Sequence, residues 1–194
     1  CSRAKPRGKI ILTKGAGIEG TAILAIEKEK EITKFLGKET VEKAKAYINL
    51  VSVVKDALTA FNSGGVQAMH DPTEGGVLGG LCELIEAANL GVKIYEDKIL
   101  INEETIAICN LLKIDPLKLI SSGSLLIVAD SNKAENIIAK LKNAGIKASI
   151  IGETLPNPKE RYIIAKNGKI KKIFMPETDE LWKALRRKLL KKRL

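Results

Sequence analysis

The segment HDPTEGG at residues 70–76 joins two parts of the chain that differ in their hydrophobic periodicity. Residues 66–69 before it form a short apolar run, which predicts a β-strand. After it, apolar residues recur with helical spacing from Val77 onward, which predicts an amphipathic helix ending at Asn89 with Gly91 as its C′ residue. The segment is therefore expected to be a polar, glycine-rich junction between a strand and a helix.

A junction of this kind can hold a phosphate group. Gly75 and Gly76 let the backbone approach a ligand closely, and the first N–H groups of the following helix are free to donate to an anion. Asp71 adds a carboxylate suited to Mg²⁺, the ion that normally accompanies nucleotide phosphates. The alternative is purely structural: Asp71 and Thr73 would cap the helix, and the two glycines would form a tight turn.

Strand and helix patterns alternate along the rest of the chain. Strands are predicted at residues 9–12, 66–69, 92–95, 125–129, 147–152, 161–165 and 169–174, and helices at residues 19–30, 39–61, 77–89, 103–113 and 133–144. Asn167-Gly168, between the last two strands, is a strong hairpin signal. The pattern predicts an α/β (α+β) domain at residues 1–176, with a mixed sheet covered by helices, and a basic helical tail at residues 177–194.

Two of the predicted helices have a defined apolar face. In the helix at residues 39–61, the face comprises Val41, Ala44, Ile48, Val51, Val54, Leu58 and Phe61. A break of this helix near Asn49 is an alternative. In a helix that starts at residues 177–179, it comprises Leu181, Trp182, Leu185 and Leu189. Helical spacing predicts that an apolar face packs on the body of the protein. The basic residues of the terminal helix instead favour a solvated, charged face, with Trp182 as the residue that could dock this helix on the body.

The composition limits the class of protein. The chain of 194 residues is long enough for one good core, and no apolar run approaches the ~18 residues that cross a bilayer. Three cysteines without CxxC spacing argue against a disulfide framework and a structural zinc site, and Cys82 and Cys109 are expected in the core. A cytoplasmic location is expected, no secretory signal is visible, and Cys1 as the first residue suggests a piece of a longer protein.

The net charge of +10 is concentrated at the C-terminus, where seven basic residues fall within residues 183–194. The rest of the chain is close to neutral. Aromatic residues make up 4% of the chain and form no stacking platform for bases. Nucleic acid is therefore not the expected partner.

Two other polar features allow more than one interpretation. His70 is the only histidine and cannot form a histidine cluster for zinc, so a structural or pocket-lining role is expected rather than that of a general base. Ser121-Ser122-Gly123-Ser124 is a second glycine-containing turn just before a predicted strand. It is either an ordinary strand entry or a second wall of the same ligand cleft.

Three segments resemble one known family. They are GKIILTKGAGIEGTAILA at residues 8–25, HDPTEGGVLGGLCELIEAANLGVKIYEDKI at residues 70–99 and IDPLKLISSGSLLIV at residues 114–128. They are similar to the superfamily of aminoimidazole ribonucleotide (AIR) synthetase, selenophosphate synthetase, thiamine-monophosphate kinase and the hydrogenase-maturation protein HypE. The resemblance is to the C-terminal domain, especially of HypE-like, AIR synthase-related members, and extends over residues 6–176.

The resemblance implies roles for particular residues. Asp71 matches the acidic position that opens the phosphate-side loop and that in some members helps to hold Mg²⁺. Thr73, Gly75 and Gly76 match the loop itself, and Gly123 matches a glycine that lines the cleft facing the first domain. In this superfamily most of the Mg²⁺–ATP carboxylates belong to an N-terminal domain, usually at a dimer interface. The chain is expected to hold half of a site and to need a missing N-terminal ATP-binding domain, with a homodimer as one assembly.

The resemblance also implies a reaction class. The parent protein is expected to bind ATP and Mg²⁺ and to activate an oxygen or acid group by phosphoryl transfer, while this chain alone lacks turnover. The alternative is a non-catalytic, regulatory phosphate- or nucleotide-binding module. A basic-tailed interaction protein is a third interpretation, which rests on residues 183–193 alone. HypE typically ends in a reactive cysteine, whereas no cysteine follows Cys109 here, so the resemblance supports the fold more than hydrogenase maturation.

Overall fold

The computed structural model describes residues 3–187, in which seven strands form one mixed sheet covered by eight α-helices. The strands are β1 (Lys9–Thr13), β2 (Val66–His70), β3 (Gly91–Tyr95), β4 (Leu126–Ala129), β5 (Ala148–Leu155), β6 (Arg161–Ile164) and β7 (Ile170–Lys172). The helices are α1 (Ile18–Glu27), α2 (Glu29–Leu36), α3 (Lys38–Lys45), α4 (Val54–Asn62), α5 (Gly76–Ala87), α6 (Glu103–Leu112), α7 (Ala134–Asn143) and α8 (Glu180–Arg186).

The strand order is β2-β4-β1-β5-β3-β6-β7. β1 lies in the middle of the sheet and is antiparallel to both β4 and β5, whereas β3 and β6 run parallel. β6 and β7 form the hairpin that Asn167-Gly168 predicts. The predicted fold class, a mixed sheet covered by helices, is confirmed.

The core follows from the alternation of side chains along the strands. Ile10 and Leu12 of β1 pack in a cluster with Val77 and Leu81 of α5 on one face of the sheet. Ile11, between them, packs on the other face with residues of α4 and α7. A third cluster is formed mainly by α1, α2, α3, α6 and α8. α5, which follows the HDPTEGG segment, is thus anchored directly on the central strand.

The composition predicts two buried cysteines and no segment that crosses a bilayer. Cys82 and Cys109 are each 1% exposed, as predicted, and burial raises the pKa of the Cys109 thiol to about 12. Within residues 3–187, no helix combines the length and the hydrophobicity that a bilayer crossing requires.

The predicted helix at residues 39–61 breaks near Asn49, and its second half faces the opposite way from the prediction. α3 ends at Lys45, a 3₁₀ helix spans Ala46–Leu50, and α4 starts at Val54. Val54, Leu58 and Phe61, predicted to face the core, are 63%, 57% and 64% exposed.

A buried polar group explains the orientation of α4. Asp56 is only 2% exposed, and its carboxylate accepts hydrogen bonds from the Thr13 hydroxyl at 2.7 Å and the Lys14 ammonium at 3.2 Å. These contacts turn Asp56 and Ala60 toward the sheet, so that the apolar stripe on the other side of α4 faces outward.

The end of α5 also differs from the prediction. The left-handed residue that terminates it is Asn89, with φ of +52°, and the N–H of Leu90 donates to the carbonyl of Ile85 at 2.9 Å. Gly91 is therefore not the C′ residue and instead opens β3. A Cβ there would overlap the carbonyl oxygens of Asn157 and Glu160, so close backbone packing requires the glycine.

Candidate functional site

The HDPTEGG segment lies between the end of β2 and the start of α5, as predicted. The strand pairing places it at a particular edge of the sheet. His70 at the end of β2 pairs with Leu126 at the start of β4, and Leu126 pairs in turn with Leu12 near the end of β1. The loop therefore lies at the edge where β1 and β2 end and β4 begins.

The loop itself is closed by its own backbone. Gly75 and Gly76 both adopt positive φ, +79° and +62°, and the N–H of Gly76 donates to the carbonyl of Thr73 at 3.0 Å. Asp71 and Thr73 are exposed. The N-cap of α5 is Gly75, without a side-chain cap, so the alternative in which Asp71 or Thr73 caps the helix is wrong.

Gly76 packs tightly against the segment that precedes β4. A Cβ at Gly76 would lie 2.5 Å from the carbonyl oxygen of Leu119 and 2.8 Å from that of Leu117. Backbone thus faces backbone here, and no flexible side chain separates them. The second glycine of the loop is therefore needed for packing, whatever the loop binds.

The N–H of Gly75 has an internal partner that the sequence pattern does not indicate. It donates to Oδ2 of Asp179 at 2.7 Å, while Oδ1 of Asp179 accepts from Leu181 at 2.8 Å and from Ile120 at 3.2 Å. Asp179 is 1% exposed. Burial raises the pKa of its carboxyl, an effect that the three backbone donors oppose. The Asp179 carboxylate therefore already contacts the N-terminus of α5.

The helix that follows Asp179 packs on the body. Leu181 and Ala184 of α8 are 5% and 0% exposed and belong to the helical core cluster, and the Trp182 indole N–H donates to Glu74 at 3.3 Å. The division into a domain at residues 1–176 and a tail at residues 177–194 stays a prediction. The contacts of α8 extend across the proposed boundary between the two. Leu189 and the other predicted tail residues from 188 onward lie outside the described residues.

The turn at residues 121–124 contacts the segment before α1 rather than the HDPTEGG loop. The Ser121 hydroxyl accepts from the N–H of Gly17 at 2.7 Å, and the Ser124 hydroxyl donates to the carbonyl of Gly15. Gly123 is buried with φ of +101°, and a Cβ there would lie 2.8 Å from the carbonyl oxygen of Leu50. The structure thus places Gly123 beneath the 3₁₀ segment rather than beside Gly75, and its role in a cleft stays a prediction.

His70 pairs with a side chain of α5. Its Nε2 lies 2.6 Å from Oε2 of Glu83. The contact joins the end of β2 to the helix on the other side of the loop, which agrees with the predicted structural role.

A cavity of about 500 Å³ opens beside the loop, with Leu78 of α5, Leu117 and Pro176 in its wall. Pro176 also lies near Gly75, since a Cβ on that glycine would be 3.5 Å from Cγ of the proline. Four lysines line the cavity, namely Lys118, Lys171, Lys172 and Lys183, together with the acids Glu96, Asp115 and Glu177. A cavity of this size can hold a small ligand. Lys118 is paired with Asp115 at 3.9 Å and Lys183 with Glu180 at 2.7 Å, so Lys171 and Lys172 are the ammonium groups better suited to a phosphate.

The carboxylates near the loop do not form a metal-binding group by themselves. Over residues 3–187, no three His, Cys, Asp or Glu side chains come together as metal ligands. Mg²⁺ often takes only one or two protein carboxylates and completes its shell with phosphate oxygens and water. The role of Asp71 as a ligand of Mg²⁺ stays a prediction.

These features define an α/β domain whose glycine-rich loop connects a strand to a helix at one edge of a mixed sheet. A family model described as "AIR synthase related protein, C-terminal domain" matches residues 6–165, and the chain belongs to this family. The resemblance found in the sequence is thereby confirmed.

Relatives and solved structures agree with this assignment. The carbamoyl dehydratase HypE of Azotobacter vinelandii is 26% identical over 163 residues, which are 83% of this chain and 45% of that protein. The structure of Escherichia coli HypE, a hydrogenase maturation protein, matches with a TM-score of 0.75 at 23% identity, covering 95% of this chain and 55% of that one. HypE in complex with ATP matches with a TM-score of 0.70 at 20% identity, covering 93% and 54%. At these identities the solved structures show the fold alone.

The chain spans about half the length of the proteins that it matches, 45% of the Azotobacter relative and 55% of the Escherichia coli structure. The family model is that of a C-terminal domain. The chain is thus comparable with one part of those proteins.

Proposed function

We propose that this chain is the C-terminal domain of an ATP-dependent, HypE-like protein, and that residues 71–76 contribute phosphate contacts to a site completed by an N-terminal ATP-binding domain. The observation that carries the proposal is the position of the loop. It lies at the N-terminus of a helix of 12 residues, where the strands β1 and β2 end. Pro176, which lies near Gly75, is also in the wall of a cavity whose lining includes four lysines and three acids. A structural neighbour is HypE in complex with ATP, which supports a nucleotide as the ligand.

The proposed roles follow the positions of the residues. Thr73, Gly75 and Gly76 would approach the phosphates, Gly123 would line the cleft, and Asp71 would contribute one oxygen to Mg²⁺. The ion, when bound, would neutralise phosphate charge during phosphoryl transfer to an oxygen or acid group of an acceptor. Backbone N–H groups at the start of α5 would orient the phosphates, although in this structure that of Gly75 donates to Asp179 and that of Gly76 to Thr73. The exposed carboxylate of Asp71 is accessible to an ion held between two domains.

An exposed apolar surface supports a missing domain. The apolar patch consists of Ile48, Leu50, Val54, Leu58 and Phe61, which are 39% to 64% exposed. We propose that the N-terminal domain covers this patch, because large exposed apolar patches mark contact surfaces. A homodimer contact is the alternative use of the same patch.

A non-catalytic, regulatory phosphate- or nucleotide-binding module remains the second candidate. The observation that favours it is the internal partner of Gly75, since a loop whose N–H already contacts Asp179 is partly closed to a substrate. For either function we propose a cytoplasmic location, where the free thiols Cys82 and Cys109 would stay reduced.

The isolated chain is expected to hydrolyse no ATP, because Asp71 alone cannot supply the metal ligands and transition-state contacts of a phosphoryl transfer. A phosphate-release assay with Mg²⁺ and ATP should give the rate of a protein-free blank. Turnover that disappears in Asp71→Ala would contradict this expectation and would place a complete active site within the chain.

A further inference from the structure

β7 is an edge strand, and within residues 3–187 no strand lies along its outer side. Ile173, just after β7, donates its N–H to the carbonyl of Arg161 at 2.9 Å. Hydrogen-bonded positions alternate along an antiparallel pair, so Lys171 also faces β6 with its backbone. The N–H and C=O groups of Ile170 and Lys172 therefore point away from β6. These four groups are placed to pair with another extended segment.

The side chains along this edge combine positive charge with apolar surface. Ile170 and Phe174 are 68% and 71% exposed. Lys172 lies between them on the same face, because side chains alternate with a period of two residues along a strand. Lys169 and Lys171 are also exposed, and within the described residues none of these three lysines pairs with a carboxylate. The edge thus has a free positive charge beside a free apolar contact.

Protection of the edge explains only part of this pattern. Lysines on an edge strand hinder contact with other sheets. That role accounts for the lysines, but it does not account for the exposed side chains of Ile170 and Phe174, which are suited to pack against a partner strand.

The charges and the backbone groups together select the kind of partner. A second copy of this chain is disfavoured, because two β7 strands side by side would bring their lysines together. The phosphates of a nucleic acid would neutralise the lysines, but they only accept hydrogen bonds and would leave the outward C=O groups of β7 unpaired. An extended polypeptide with carboxylate side chains satisfies both the backbone and the charges.

We propose that the outer edge of β7 binds an acidic, extended segment of another protein, which adds a strand to the sheet. On the face of Ile170, Lys172 and Phe174, the partner would present an acid between two apolar residues. On the other face it would present acids to Lys169 and Lys171. This proposal does not depend on the proposed phosphate contacts of residues 71–76.

The probe is the peptide acetyl-Val-Thr-Glu-Glu-Val-Glu-amide. Antiparallel pairing would place its valines opposite Phe174 and Ile170 and its glutamates opposite Lys172, Lys171 and Lys169. Titration of the ¹⁵N-labelled whole chain with millimolar peptide should give saturable NMR shifts at the amides of Ile170 and Lys172. The same peptide with lysine in place of each glutamate should give none there, and added salt should weaken binding of the acidic peptide.

Two variants separate the charge from the backbone. Lys172→Glu places a like charge opposite the peptide and should weaken its binding about tenfold. Ile170→Pro removes an outward N–H at the first residue of β7, where proline is tolerated, and should also weaken binding. Lys140→Glu makes the same charge change at an exposed lysine of α7 and should leave the affinity nearly unchanged.

Several results would overturn the proposal. One is the absence of saturable shifts at Ile170 and Lys172 with the acidic peptide, and another is equal affinity for the acidic and the lysine peptides. An affinity that Lys172→Glu does not lower, in a variant shown by circular dichroism to be folded, also contradicts it. Shifts of these amides on concentrating the chain alone would show self-pairing instead. Shifts with single-stranded oligothymidylate but not with the peptide would show a nucleic-acid surface.

Discussion

Gly76→Ala is expected to lower the free energy of unfolding by about 3 kcal/mol or more, because it combines a strained backbone with a steric overlap. Gly76 has φ of +62°, and the added methyl group would lie 2.5 Å from the carbonyl oxygen of Leu119. Chemical denaturation monitored by circular dichroism measures the change. The expected loss means that substitutions at Gly76 cannot separate ligand binding from folding.

Gly145→Ala is the matched control. Gly145 has a similar φ of +78°, but a Cβ added at this position would meet nothing within 4 Å. The substitution should cost about 1 kcal/mol, the penalty for the left-handed conformation alone. Equal losses at the two positions would contradict the tight packing of the loop on Leu117 and Leu119.

Asp56→Ala is expected to destabilise the fold by about 3 kcal/mol, because it removes a buried carboxylate that pairs with Lys14. The Lys14 ammonium then keeps only the carbonyls of Leu50 and Ser52 as acceptors. The side chains of Lys14 and Asp56 are 12% and 3% exposed, and the Thr13 hydroxyl loses its acceptor as well. Denaturation of the variant, compared with the unmodified chain, gives the change in the free energy of unfolding.

The control for Asp56 is an exposed ion pair of the same type. Glu39 and Lys43 are paired at 2.8 Å on α3, with side chains 83% and 59% exposed. Glu39→Ala should leave the free energy of unfolding nearly unchanged, because water screens this pair. A loss at Asp56 no greater than this would show that the Thr13-Asp56-Lys14 group does not fix the orientation of α4.

Local sequence patterns were sufficient for most elements. Hydrophobic periodicity and turn residues predict the strand before His70, the helix after Gly75, α6 and the hairpin around Asn167-Gly168, because each depends on neighbouring residues. The mixed sheet follows from their alternation. The order of its strands does not, since pairings such as β3 with β6 depend on contacts between distant segments.

The predicted orientation of α4 was wrong for an identifiable reason. The stripe Val54-Leu58-Phe61 has the spacing of a core face, but the buried Asp56 on the opposite side of α4 decides the orientation. Periodicity alone cannot detect a charge whose partner lies on β1 or just after it. A surface that contacts another domain would have the same sequence pattern as a core, and periodicity does not distinguish the two.

In the candidate site, too, local sequence patterns do not reveal contacts between distant residues. The loop and its glycines were predictable from the sequence, and so was Asp179 as part of a helix start. The contact between Asp179 and Gly75 joins residues 104 positions apart, and no local spacing indicates it. The sequence therefore predicts the junction of strand, loop and helix, but not the carboxylate that accepts from the N–H of Gly75.

The most direct test of the proposed phosphate contacts is an amide-resolved NMR titration of the ¹⁵N-labelled chain with ADP and, separately, inorganic phosphate. The proposed function predicts saturable shifts centred on the N–H groups of Gly75, Gly76 and Val77 with both ligands. Saturable shifts confined to other parts of the chain, or no shifts at saturating ligand, would contradict the assignment of residues 71–76 as a phosphate-binding loop.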